Sequence, residues 1–63
     1  MTQFSVLKNG IRLASFFYEN HAYTYLDLLC EQAEQGDTLE LLDDKTGLTI
    51  IAFDENGNQV IGD

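Results

Sequence analysis

The sequence predicts a small α+β fold of order ββαββ: an antiparallel sheet with one helix packed on one face, and Gln59 to Ile61 as a candidate fifth strand. Three observations carry this reading. One stretch, residues 20–36, has helical periodicity. A strand-turn-strand pattern precedes it, and another follows it. The chain divides into a hairpin over about 2–19, the helix over about 20–36, a second hairpin over about 38–54 and a tail over 55–63, all within one domain.

The first hairpin is centred on Asn9-Gly10. Both residues tolerate positive φ and so suit a type I′ turn. A two-residue loop pairs Lys8 with Ile11, Val6 with Leu13 and Phe4 with Ser15. In that register Phe4, Val6, Ile11, Leu13 and Phe17 share the face that meets the helix. The opposite face carries Leu7, Phe16 and Tyr18 among polar neighbours.

In NHAYTYLDLLCEQAEQG, Tyr25, Leu26, Leu29 and Ala33 fall within about 60° of one line drawn from Ala22, an apolar stripe at helical spacing. Asp27, Glu31 and Glu34 lie opposite. Asn20 is the expected N-cap and Gly36 the expected C′ residue, with Thr24 and Asp27 as a rival capping box one turn later.

In the second hairpin Leu39 and Leu41 alternate with Thr38, Glu40 and Leu42, and Asp44-Lys45-Thr46-Gly47 supplies a turn. The run Leu48 to Phe53 is apolar on both sides, as expected for a strand inside the sheet. Strict alternation puts Leu48, Ile50 and Ala52 on one face and Thr49, Ile51 and Phe53 on the other.

Sixty-three residues bury a small core, and one cysteine with one histidine supplies neither an internal disulfide nor a four-ligand metal site. No basic leader and no long apolar run is read, so a cytoplasmic chain is expected. The net charge of −8 is unevenly placed. Residues 1–26 hold Lys8, Arg12 and Glu19, whereas ten carboxylates face Lys45 alone from Asp27 onward. That field disfavours direct contact with nucleic acid or an anionic membrane and permits a basic protein partner.

No catalytic, cofactor or metal pattern emerges. His21 has no nucleophile or orienting partner in its local sequence. Cys30 sits at the flank of the apolar stripe with no cation to favour a thiolate, and reads as buried filler. The acidic turns at Asp43-Asp44 and Asp54 to Asn58 miss the spacing of a calcium loop and read as Asx-rich turns. So short a chain is also expected to leave little room for a pocket of several hundred Å³.

Two surfaces are therefore candidates for a partner. Asp27, Glu31, Glu34, Glu40, Asp43 and Asp44 form an acidic set that could occupy Lys/Arg sites built for phosphates. Phe16, Tyr18, Leu42, Ile51 and Phe53, with Leu7, would form an apolar patch on the uncovered sheet face, suited to a homodimer. A bulge in the second hairpin would instead bury part of that patch. In size and charge the chain is similar to phage-encoded counter-defence proteins of the DNA-mimic and anti-CRISPR kind, a likeness of composition and architecture that carries no residue over. It implies an inhibitor or adaptor that docks on a larger, nucleic-acid-handling protein.

Overall fold

A computed structural model describes residues 3–32 and 34–62. Thr2, at the expected start of the first hairpin, and Ala33, in the expected helical stripe, lie outside the described residues. The elements run β1 (Phe4–Lys8), β2 (Ile11–Phe16), α1 (Glu19–Gln32), β3 (Leu39–Asp43), β4 (Leu48–Phe53) and β5 (Gln59–Ile61). They form one antiparallel five-stranded sheet in the order β2-β1-β3-β4-β5, with the helix on one face. The small α+β fold is as the sequence predicts. β4 lies inside the sheet, and the tail supplies the edge strand β5.

Asn9 (φ 55°) and Gly10 (φ 82°) both take the left-handed backbone that the type I′ turn requires. Asn9 does more than turn the chain. Its backbone N–H donates to the Thr38 carbonyl (2.9 Å), its Oδ1 accepts the Thr38 N–H (2.9 Å), and its Nδ2 donates to Asp37 Oδ1 (3.1 Å). The hairpin tip is thereby tied to the segment entering β3.

The helix begins at Glu19, one residue earlier than expected. The Tyr18 carbonyl accepts the Ala22 N–H (3.2 Å), so Tyr18 holds the N-cap position and Asn20 lies inside the helix. Glu19 then sits in the first turn, where a carboxylate suits the positive end of the dipole. Thr24 Oγ1 donates back to the Asn20 carbonyl (2.9 Å), which removes the rival capping box as well. At the other end the described helix stops at Gln32, before Gly36, whose φ of 105° belongs to the following turn.

Val6, Ala22, Leu26, Leu39 and Leu41 form the buried core between α1 and the middle of the sheet. The helix backbone lies over β2, β1 and β3, and β4 meets the core through its side chains Ile51 and Phe53. The first hairpin departs from its expected register by one residue, and the second carries the bulge that the sequence offered as an alternative to strict alternation. In the first, Lys8 pairs with Ile11 and Leu7 with Arg12, but Val6 then pairs with Ala14 and Phe4 with Phe16, leaving Leu13 as a bulge. In the second, Leu39 pairs with Phe53 and Leu41 with Ile51, but Leu42 pairs with Thr49, leaving Ile50 as the extra residue.

Because side chains alternate with period two, each slip exchanges the faces. Phe16, Ile51 and Phe53 lie on the helix side and pack against the core, correcting their expected place on the uncovered face. Ile11, Leu13 and Phe17, expected beneath the helix, are exposed. Of the expected patch, Leu42 keeps its place on the open face, partnered by Thr49, and Tyr18 stands exposed before the helix.

The open face mixes polar residues with Leu7, Leu42, Ala52 and Ile61. Ser5 pairs with Ser15 and Leu42, Leu7 with Arg12 and Glu40, and Glu40 with Ala52. Ser5 is completely buried although no helix covers it, because the Asp44 carboxylate folds over it and accepts its hydroxyl (2.7 and 2.9 Å). Arg12 in turn approaches Asp44 at 3.6 Å.

Candidate protein-docking groove

Since the helix stops short of β4, a strip of the helix-side sheet face stays open, and a groove of about 410 Å³ forms there. Leu39 and Phe53 supply its apolar base. Cys30, Glu34 and Gln35 line it from the end of the helix, with Asp37 beyond them. Asp54, Glu55, Asn56 and Gly57 of the β4–β5 turn close the other side. This volume exceeds what so short a chain was expected to offer.

Backbone hydrogen bonds fix both walls. Asp54 Oδ1 accepts the N–H groups of Asn56 and Asn58, both at 2.9 Å, while the Asp54 N–H donates to the Asn58 carbonyl (2.9 Å). Gly36 N–H donates to the Glu55 carbonyl (2.9 Å) and so joins the two walls. Asp37 braces the nearer one. Its Oδ2 accepts the Glu34 N–H (3.2 Å) and lies 3.5 Å from Lys8 Nζ. The hydrogen bond from Asn9, that from the Glu34 backbone and the Lys8 charge together hold the Asp37 carboxyl below its ordinary range.

Glu34, Asp37, Asp54 and Glu55 thus line a groove with an apolar base, the Asp37 carboxylate engaged by Asn9, Lys8 and the Glu34 N–H and the Asp54 carboxylate by N–H groups of its own turn. Lys8, 37% exposed, faces Asp37. An arrangement of this kind suits a Lys or Arg side chain, whose aliphatic stem lies on apolar carbon while its charged end meets the rim.

The expected acidic set separates into two groups. At about 100° per residue, Asp27 and Glu31 share one flank of α1 with Cys30, and Glu34 lies beyond the described end of the helix. All three acidic residues are exposed, and Cys30 places this flank on the groove side. Glu40, Asp43 and Asp44 do not join them. Glu40 accepts the Thr49 hydroxyl on the open face, Asp43 Oδ1 accepts the Lys45 N–H (2.9 Å), and Asp44 is held by Ser5 and Arg12. Sequence reasoning missed Asp37, Asp54 and Glu55 as site residues. The acidic run after Phe53 was the available signal, and its reading as a turn concealed that the turn is also a wall.

Cys30 is exposed in this groove, which corrects its reading as buried filler. Partial desolvation, and then the Asp27 charge, push its thiol above the ordinary value and disfavour the thiolate. His21 stands with its ring edge-on to Tyr18, centroids 5.4 Å apart. Among the described residues no cluster of His, Cys, Asp and Glu could hold a metal ion, and no helix is long and apolar enough to cross a membrane. No family model, curated protein or solved structure matches the chain.

Proposed function

We propose that this chain is an acidic protein-binding module, an inhibitor or adaptor that docks on a larger basic protein through the groove and the helix flank beside it. The observation that carries this reading is the groove itself: four acidic residues, from the segment after the helix and from the β4–β5 turn, line an apolar base in a protein of net charge −8. Carboxylates scattered only for solubility need no such convergence. Nucleic-acid-handling proteins are the partner class favoured by charge, because their Lys/Arg sites already receive an anionic backbone.

Binding is favoured over catalysis by the chemistry of the lining. A thiol whose ionisation is disfavoured, with carboxylates and no histidine or lysine among the groove residues, is a poor nucleophile. Self-association through the open sheet face is less favoured, because Ser5, Ser15, Arg12, Glu40 and Thr49 are interspersed among its Leu7, Leu42, Ala52 and Ile61.

The test is binding of a fluorescent lysine- and arginine-rich peptide, followed by anisotropy at low and high salt and then by capture of partners from lysate at low salt. Glu34→Lys with Glu55→Lys should weaken peptide binding at least about tenfold and leave the fold intact, since both side chains are exposed. Equal binding by this double variant and the parent chain would sink the groove reading.

A further inference from the structure

The side of the molecule opposite the groove has a different character. β2 is an edge strand, and Ile11, Leu13, Phe17 and Tyr18, on or just after it, are 66%, 46%, 57% and 64% exposed. The rings of Phe16 and Tyr25, with centroids 5.5 Å apart, place one side of α1 over this edge. At about 100° per residue that side also carries His21, Leu28 and Gln32. None of these is a carboxylate, and Leu28 is 50% exposed. Among the described residues, five of the eight large exposed hydrophobic side chains therefore lie along one flank. Glu19 is the sole carboxylate before Asp27, and Asp44 approaches this side as the partner of Arg12.

We infer that this flank receives a second copy of the same chain, giving an isologous dimer in which Leu13, Phe17, Tyr18 and Leu28 pack about a two-fold axis. Three arguments select a second copy. A flank that is apolar and nearly free of carboxylates matches itself under two-fold symmetry, and two chains of charge −8 repel least when they meet there. Five buried hydrophobic residues among those described make a thin core for a free-standing domain, the single thiol is unpaired, and association is a usual remedy for a chain of this size. A two-fold pairing also directs both grooves outward, so self-association and partner docking are compatible. The Leu13 bulge interrupts the edge, so the contact is side-chain packing and not a sheet continued from one copy to the next.

The experiment is sedimentation equilibrium of the full chain over a range of concentrations and at two ionic strengths, with circular dichroism on every variant. The parent chain is expected at twice its 7.1 kDa mass, more so at high salt because screening relieves repulsion between like-charged copies. Leu28→Lys and Phe17→Lys, each at an exposed position, should each give a folded species of monomer mass, with dissociation at least about tenfold easier. Val60→Lys, on the far edge strand, should leave the dimer unchanged. Should either flank variant lose its helical signal, Leu13→Lys replaces it. A parent chain that stays monomeric at every concentration overturns the inference. So does a dimer that weakens as salt rises, or one that yields to Val60→Lys and not to the flank variants, because the contact would then be made elsewhere.

Discussion

The two flanks of the helix face opposite edges of one sheet and share almost no chemistry. On the β2 side, Tyr25 seals against Phe16, and Ile11, Leu13, Phe17, Tyr18 and Leu28 stand exposed beside Arg12 and Glu19. On the β4–β5 side, Cys30 and Glu34 look across an open groove towards Asp54 and Glu55. The difference originates in where the helix lies. Its backbone runs closest to β2, β1 and β3, so its near flank is completed by packing while its far flank leaves a groove over β4. A helix narrower than the sheet beneath it gives a small domain a second surface with its own chemistry.

Several substitutions would break or sharpen this contrast. The largest effect erases both flanks together. Leu41 is fully buried at the centre of the sheet, and Leu41→Ala should cost about 2–5 kcal/mol, comparable with the entire stability of a domain this size. Thermal melting by circular dichroism would register it, whereas Leu48→Ala, at a side chain 68% exposed, should change stability by less than about 0.5 kcal/mol.

Next come substitutions that separate the flanks. Glu34→Lys with Glu55→Lys should abolish most binding of a basic peptide and leave the mass in solution unchanged. Leu28→Lys should reverse the pattern. Two variants affecting both properties alike would mean that the flanks are not independent.

On the open face, Ser5→Ala removes the hydroxyl that serves the buried side of the Asp44 carboxylate and should cost about 1–3 kcal/mol in urea denaturation. Combining it with Asp44→Asn should cost less than the sum of the single changes if the two act as one unit.

Asp37 predicts a pH dependence of known sign. Its folded-state carboxyl is held below the ordinary value, so the stability it contributes is fully present above the ordinary carboxylate range. That contribution is lost as pH falls through the lowered value. Asp37→Asn should therefore flatten the acid limb of a stability-versus-pH curve, and an unchanged limb would remove Asp37 from the account.

The smallest effect concerns Cys30. With its thiol raised, the side chain should react slowly with a disulfide reagent at neutral pH despite its exposure, and faster as pH climbs past the ordinary thiol range. Asp27→Asn should speed that reaction modestly.

The sequence by itself determined the elements, because their causes are local. Asn9-Gly10 specifies a tight turn through the φ values its residues tolerate. The stripe at Ala22, Leu26 and Leu29 specifies a helix and its buried side, and Leu39 with Leu41 marks the helix-facing side of β3. Tertiary structure decided the two bulges, and with them the fate of Phe16, Ile51 and Phe53. A one-residue slip leaves local alternation equally good on either side of it, and only the fit of Phe16 to Tyr25 and of Ile51 to the core selects one register. It also decided the groove. Glu34, Asp37, Asp54 and Glu55 come from separate stretches of chain, and only the hydrogen bond between Gly36 and Glu55 and the short reach of the helix set them around one space. The acid surplus could be counted along the chain, but its convergence depends on distances that exist only once the chain has folded.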